Sequence, residues 1–446
     1  MSEDSPIRTT NVLGIGFGPA NLSTAIAAQD HGLLEHCHFL ERADGFHWQR
    51  DQMIDGTDIQ NNPFRDLVMP RDPRHRYTFV NYLHQHGKLT RYLHYNSKFA
   101  LRNEYADYLQ WVASQFKSHV TYGQNITHID VSRYNGEQWF EVASGAQVWR
   151  AKHLILGTGR SCNIPAPFSG SEPRVSHASH YLPVIDQLDR DRKHTVAVVG
   201  ASQSAIEIIL DLLSRPNIDR VVSIQRGLGF RLKDTSSFSR QVFLPEFVDY
   251  FHPLPLEAKA RIRQQLRTVN YGACDQDVID QLTTLQRQFE RNNLDRFALM
   301  PFSTVTAASS TSRGTELTVT DVNTGGTSSL DAHLVILATG YRDFGAGAED
   351  ERCHPLLSRL AHRIRRETDG TPIVRRDYSV DLDTGDDRLS VYLNGLCEAS
   401  HGMGDAGALA VLSARADDIA ASLRARLSPG SKNVAAATPA LAAAAS

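Results

Sequence analysis

Two glycine turns, far apart in the chain, carry the clearest chemistry. The first is Gly14-Ile15-Gly16-Phe17-Gly18-Pro19, which ends the apolar run that includes Val12 and Leu13. The second is Gly200-Ala201-Ser202-Gln203-Ser204-Ala205, which follows Thr195-Val196-Ala197-Val198-Val199. Glycine lets a backbone approach a pyrophosphate closely, and the helix that follows offers free N–H groups and the positive end of its dipole. Each turn therefore reads as a dinucleotide phosphate site. Neither has full GxGxxG spacing: Pro19 stands at the third glycine of the first, and Ser202 and Ala205 replace two glycines of the second.

What ends the next strand separates the two sites. The run 36–40 leads to Glu41, a carboxylate suited to ribose hydroxyls. The run 221–225 leads to Arg226, a guanidinium suited to a 2′-phosphate, hence NADP rather than NAD. Two further turns, Gly157-Thr158-Gly159-Arg160 and Ala338-Thr339-Gly340-Tyr341, end buried apolar runs and read as backbone passing a cofactor at a sheet edge. Two turns that open units and two that close them imply one dinucleotide domain inserted in another, FAD in the first and NADPH in the second. Such cofactors carry the hydride and oxygen chemistry while the protein orients them and controls water. A disulfide reductase of this layout needs a redox cysteine pair. Cys37, Cys162, Cys274, Cys353 and Cys397 form no CxxC or CxxxxC, which favours a monooxygenase.

The elements that must hold these turns follow from hydrophobic pattern. Strands are expected near 10–14, 36–40, 126–131, 138–143, 147–150, 153–156, 195–199, 221–226, 334–338 and 391–396, with others between 302 and 322. Helices are expected at 19–31, 103–117, after Ser202, within 256–295, and from His401 to about 426, where a helix would run back to the first cofactor. The stretch 43–100 mixes aromatics, prolines and charges without period; a long irregular stretch inside a domain is usually functional. The fold class is α/β, with two Rossmann-like domains and a small helical substrate region. The FAD domain takes 1–165 and 331–427, the NADPH domain 190–330 with the substrate part at about 231–300. Residues 1–9 read as a loose arm and 428–446 as a disordered tail.

Composition narrows the partners. The 446 residues are 22% charged and 41% hydrophobic with net charge −3, so no global field calls for nucleic acid or an acidic membrane. No apolar run of membrane-spanning length and no secretory leader pattern occurs, and the scattered odd cysteines suit a reducing cytoplasm. No metal-ligand spacing is present.

Eight segments in order sharpen the expectation: Gly14-x-Gly16-Phe17-Gly18-Pro19-Ala20-Asn21-Leu22, Gln60 ahead of Arg65-Asp66-Leu67, Arg71-Asp72-Pro73, Tyr77-Thr78-Phe79-Val80-Asn81-Tyr82-Leu83, Gly200-x-Ser202-Gln203-Ser204-Ala205-x-Glu207, Asn270-Tyr271, Ala338-Thr339-Gly340-Tyr341 and His401-Gly402-x-x-Asp405. From about residue 10 to 426 the chain resembles the N-hydroxylating flavin monooxygenases of siderophore biosynthesis, which act on ornithine and lysine. The resemblance implies that NADPH reduces FAD and that reduced flavin and O2 give a C4a-hydroperoxide. The unprotonated substrate amine then takes the distal oxygen, in a dry pocket. It implies that Trp48 and Gln60 line the flavin, that Gln60 reaches its reactive edge, and that Asn270 contacts the substrate. It places Tyr341, His401 and Asp405 with the cofactors, although a histidine there also suits a structural contact. The turn from Gly200 to Ser204 and Arg226 would retain NADP. The family also implies a homotetramer.

The departures concern the substrate. The family's Phe-Leu-Lys-Asp-Leu reads Pro63-Phe64-Arg65-Asp66-Leu67 here, and its Phe-x-Asn-Glu-x-Phe reads Phe238-Ser239-Arg240-Gln241-Val242-Phe243. Its His-Gly-x-Ser-Asp-Thr-Leu-Leu-Ser reads His401-Gly402-Met403-Gly404-Asp405-Ala406-Gly407-Ala408-Leu409. Two guanidiniums where one ammonium and one amide are expected suit two carboxylates. The main expectation is therefore N-hydroxylation of L-aspartate, with further oxidation toward nitrosuccinate. The alternative is side-chain hydroxylation of L-ornithine or L-lysine, with Arg65 replacing the lysine and Arg240 paired to Asp66, Asp234 or Glu246. A different class, a flavin NADPH oxidase or redox sensor, would consume NADPH without hydroxylating anything.

Overall fold

The computed structural model describes residues 7–95, 97–168, 172–386 and 388–428. The start of the expected N-terminal arm and nearly all of the expected tail lie outside these residues. Among them, no helix is long and apolar enough to cross a membrane.

The first sheet contains β1 (Arg8–Ile15), β2 (Cys37–Leu40), β3 (Val120–Thr121), β4 (Ile126–Tyr134), β5 (Glu137–Ser144) and β6 (Gln147–Leu156), in the order β3-β2-β1-β6-β5-β4. β1 is parallel to β2 and to β6. The pattern had suggested separate strands at 147–150 and 153–156; they are one, β6. Within it, the Lys152 ammonium reaches out to the Gln138 carbonyl (2.6 Å) and to Glu137 (3.0 Å). The N-terminal half of β6 carries the antiparallel β4–β5 meander.

The second sheet is all parallel, in the order β10-β9-β8-β14-β7. Its strands are β7 (Val175–His177), β8 (His194–Val199), β9 (Ile218–Ile224), β10 (Phe297–Met300) and β14 (Leu334–Leu337). Three antiparallel strands, β11 (Ser303–Ser310), β12 (Thr315–Asp321) and β13 (Thr327–Ala332), pack against it. A last strand, β15 (Ser390–Leu393), returns to the first sheet beside the C-terminal half of β6. Thus β7 and β14 both pair in the second sheet, outside the 190–330 limits read from the sequence.

The chain leaves the first sheet at Gly157-Thr158-Gly159 and comes back at Thr339-Gly340. The outgoing and returning strands are zipped together. Asn163 N–H donates to Gly340 O (2.9 Å), Arg342 N–H to Ser161 O (2.8 Å), and the Thr339 hydroxyl to Asn163 O (2.6 Å). The paired Thr-Gly turns are thus the two sides of one insertion point.

The helix Pro19–Asp30 begins with Pro19 at its first turn, where the missing N–H costs nothing. Residues 21–28 are all buried because the helix lies between the sheet and the helix Leu412–Leu427. Ala27, Ala416 and Ala420 let the two helices approach closely. That last helix starts at Leu412, not at His401. The intervening stretch is a loop: Gly402 has φ +97°, and Asp405 binds backward to the Cys397 N–H (2.6 Å) instead of continuing a helical turn.

Candidate active site

A cleft of about 1630 Å³ runs between the first and second sheets. Its floor on the first side is the glycine turn. Gly16 has φ +81°, and a Cβ there would lie 2.6 Å from the Gly157 carbonyl oxygen, so only glycine fits. Gly14 lies beneath the turn: a Cβ would fall 2.2 Å from the Phe39 ring. Gly18 differs, since a Cβ would meet no protein atom within 4 Å and would project into open cleft. Neither Gly18 nor Ser202 makes a side-chain cap, so the first N–H groups of both following helices are left for a ligand.

Glu41 lines the cleft at the end of β2. Its carboxylate already accepts the Phe17 N–H (2.7 Å) and the Ala43 N–H (2.8 Å). It staples the glycine turn and still has lone pairs for a ribose. Asn21 carries the turn's other support. Its amide donates to Gly16 O (2.6 Å) and Ile15 O (3.2 Å), joining the turn to the end of β1.

Behind Asn21 runs a buried polar chain that local sequence did not reveal. Asn394 donates to Asn21 Oδ1 (2.8 Å) and Thr24 Oγ1 (2.9 Å), and accepts Arg415 Nε–H (2.8 Å). Arg415, 2% exposed, donates to Asp405 Oδ1 (2.7 Å). Asp405 edges the cleft, but its carboxylate is occupied by Arg415 and Cys397, so here it is a support. His401 does not line the cleft. It is buried behind it, stacked on Tyr378 (ring centroids 4.0 Å apart), with Ser400 and the Arg376 carbonyl on its nitrogens.

On the nicotinamide side, Gly200, Ser202, Gln203 and Ser204 line the cleft. Gly200 has φ +132° and a Cβ would lie 2.2 Å from Ala338 O, so the turn presses against the returning strand. Arg226 stands two residues beyond β9, largely exposed, with Glu349 at 3.8 Å. Thr339, Gly340 and Tyr341 line the cleft at the insertion point. These open glycine cradles and free helix N-termini fit two dinucleotides.

The stretch 43–100, expected to be without period, forms helices at Phe79–Gln85 and Leu89–Tyr95, and its looped part delivers Trp48, Gln60 and Arg65 to the cleft. Gln60 sits at φ +52°, strain of about 1 kcal/mol for a residue with a Cβ. Its N–H is held by Asp58 (2.8 Å), and its amide donates to Asp275 (3.0 Å). Asp275 N–H in turn donates to Gln203 (2.8 Å), and Gln203 donates to Glu207 (3.0 Å), which pairs with Arg102 (3.0 Å). The flavin-side loop and the nicotinamide-side helix are thus tied through one polar chain. Asp66 anchors the Arg65 loop: buried, it accepts the N–H groups of Val68, Met69 and Phe79 at 2.6–2.8 Å.

Arg65, Arg240 and Asn270 face the same cleft. Among the described residues neither guanidinium is ion-paired, so the expected partners of Arg240 (Asp66, Asp234 or Glu246) do not engage it. Burial and then the Arg240 charge push the Arg65 pKa down, which places the two cations within each other's field. The Asn270 amide nitrogen is buried and has no hydrogen-bond partner among the described residues. Glu398, Asp343 and Arg263 also line the cleft and were not anticipated, and Tyr271 and Arg160, quoted above only as members of motifs, join them. The one local hint was an acid in the apolar run Leu396-Cys397-Glu398-Ala399 just after the last strand.

Comparison with known proteins agrees with this arrangement. Residues 8–343 match the family described as L-lysine 6-monooxygenase/L-ornithine 5-monooxygenase. An L-ornithine N(5)-monooxygenase of Burkholderia cepacia is 34% identical over 412 residues, 88% of this chain and 89% of the relative. An ornithine N-hydroxylase of Kutzneria sp. 744, solved with reduced FAD, NADP+ and L-ornithine, superposes with a TM-score of 0.87 at 29% identity, covering 94% of this chain and 100% of that one. An L-lysine 6-monooxygenase of Pseudomonas syringae gives 0.82 at 32% identity, with the same coverage. The chain belongs to the L-lysine 6-monooxygenase/L-ornithine 5-monooxygenase family and is an FAD- and NADPH-dependent N-monooxygenase of amino acids.

Proposed function

We propose that this enzyme N-hydroxylates the side-chain amine of L-ornithine or L-lysine. The observation that carries the reading is that Arg65 and the buried Asn270 amide, which has no partner among the described residues, line one cleft: a cation for the substrate carboxylate and a donor for the lone pair of the reacting amine. The ornithine relatives support the same substrate class, and aspartate as the main substrate finds no support among them. When bound, FAD reduced by NADPH activates O2 and supplies the oxygen that ends on nitrogen. The chain does the rest. Arg65 fixes the carboxylate, Asn270 orients the substrate, and the loop carrying Trp48 and Gln60 covers the reacting end.

Aspartate remains a second reading on one observation. Arg65 and Arg240 are two unpaired cations in one partly buried site, and a second carboxylate would offset the one that ornithine leaves alone. Incubation with ornithine, lysine and aspartate, with the N–OH located by mass spectrometry, separates the two. Turnover of aspartate alone would overturn the first reading. Arg240→Asn gives the sharper contrast. With ornithine, kcat/KM is expected to hold or rise. With aspartate it would fall about 30-fold or more, the loss expected for truncating a charged pair worth 2 kcal/mol or above.

A further inference from the structure

The cleft wall formed after β15 holds a buried acid to which the preceding roles give no task. Glu398 is 3% exposed, and its Oε2 accepts the Tyr271 hydroxyl. Arg160 lies 3.8 Å from the same oxygen, and Arg263 4.0 Å from Oε1. Both guanidiniums donate to Asp343, at 2.9 and 3.0 Å. Arg160 also lies over the Tyr271 ring, 5.4 Å from its centroid. The group is therefore two cations, two carboxylates and a phenol, all facing the cleft.

Tyr271 follows Asn270 in the chain, and one glycine makes room for both. A Cβ at Gly407 would stand 2.3 Å from Tyr271 Oη and 2.7 Å from Asn270 Nδ2. The family segment quoted earlier has leucine at this position, so the corner that lets Tyr271 reach Glu398 is a departure of this chain. Burial raises the Glu398 pKa to about 7; Asp343 adds to the rise, while Arg160, the Tyr271 hydrogen bond and Arg263 oppose it. A carboxyl balanced near neutrality is suited to accept and return protons.

A base is needed there. Alkyl amines are protonated in water, with a pKa of about 10 for the lysine side chain, and only the free amine has a lone pair to attack oxygen. We propose that Tyr271 and Glu398 form a proton relay that deprotonates the substrate amine held beside Asn270. The N–H bond of the ammonium breaks and its proton bonds to the Tyr271 oxygen. The former Tyr271 proton passes to Glu398 Oε2. Nitrogen keeps the electron pair, the carboxylate becomes a carboxylic acid, and no electron is transferred. From an ammonium at its aqueous pKa to Glu398 at about 7, this transfer is uphill by about three pKa units, roughly a thousandfold. Asp343 offsets Arg160 and Arg263, so the cations that lower the ammonium's pKa and narrow that gap are the unpaired Arg65 and Arg240. The proposal rests on the reading that an amino-acid amine occupies this cleft.

The test uses holoenzyme with Glu398→Gln and, as a gentler variant, Tyr271→Phe. In the unaltered enzyme the hydroxylated product per NADPH consumed should rise with pH through about 7, because the relay needs the ionised carboxylate. In both variants that limb should move toward the amine's own pKa. At neutral pH the product should fall roughly tenfold or more, with hydrogen peroxide released in its place, and the loss should shrink as pH rises. Independently of turnover, adding substrate to the oxidised enzyme above neutral pH should produce the infrared band of a protonated carboxyl, absent in Glu398→Gln. An unmoved pH limb, an equal loss at every pH, or a band that survives in Glu398→Gln would overturn the relay. An unaltered enzyme that hydroxylates no amino acid would instead overturn the reading on which the relay rests, and the relay with it.

Discussion

Alanine at position 16 is expected to give a colourless protein. The residue at this position sits at φ +81°, which costs an L-residue about 1–2 kcal/mol, and its Cβ would press on the Gly157 carbonyl at 2.6 Å, a backbone atom that cannot swing aside. Because the turn and the end of β6 then separate, FAD affinity should fall about 100-fold or more, equivalent to about 3 kcal/mol. The apo-protein should also melt earlier. Gly18→Ala provides the contrast. Its φ of −81° suits alanine and its Cβ meets no protein atom, so the apo-protein should melt unchanged while flavin affinity still drops. Flavin absorbance per protein and thermal melting of the two apo-variants check both statements. Equal flavin content in Gly16→Ala and the unaltered protein would refute the assignment of this turn.

The second large effect is on stability. Arg415→Leu strands the Asp405 carboxylate, fully buried, and takes the donor from Asn394. Breaking a buried pair by removing one partner costs about 3–5 kcal/mol, a large part of the net stability of a domain. Urea unfolding should show the midpoint shift with little change in slope. The double replacement Arg415→Leu with Asp405→Leu should recover part of the loss, since removing both charges removes the desolvation penalty as well. Because the chain Arg415–Asn394–Asn21 ends on the Gly16 carbonyl, the single variant should also bind FAD more weakly.

What could be read from the sequence was local. The two glycine turns, the strands before them and the helices after them lie within a few residues of one another, so their pattern shows in a short window. The Thr-Gly pair at 158 and 339 was legible as the sign of an inserted domain; the direct hydrogen bonding of the outgoing to the returning segment was not. The Asn21–Asn394–Arg415–Asp405 chain was not legible, because its members are brought together only by the return of β15 to the first sheet. The same holds for Glu398 and Tyr271, which meet where the substrate loop crosses the edge of that sheet. His401 was given a cofactor role by family position, yet packing places its ring behind Tyr378. Arg65 and Arg240 were placed on one substrate by family position and residue type; that neither is ion-paired among the described residues is visible only in the fold.

The central claim is that the enzyme places an oxygen atom on an amino-acid nitrogen at the expense of NADPH. The most direct measurement is stoichiometry: NADPH consumed, hydroxylamine formed and hydrogen peroxide released by the FAD-loaded protein with ornithine, lysine or aspartate. The account predicts hydroxylamine close to equimolar with NADPH for one of these amino acids, with little peroxide. Peroxide equimolar with NADPH, and no hydroxylamine from any of them, would contradict it.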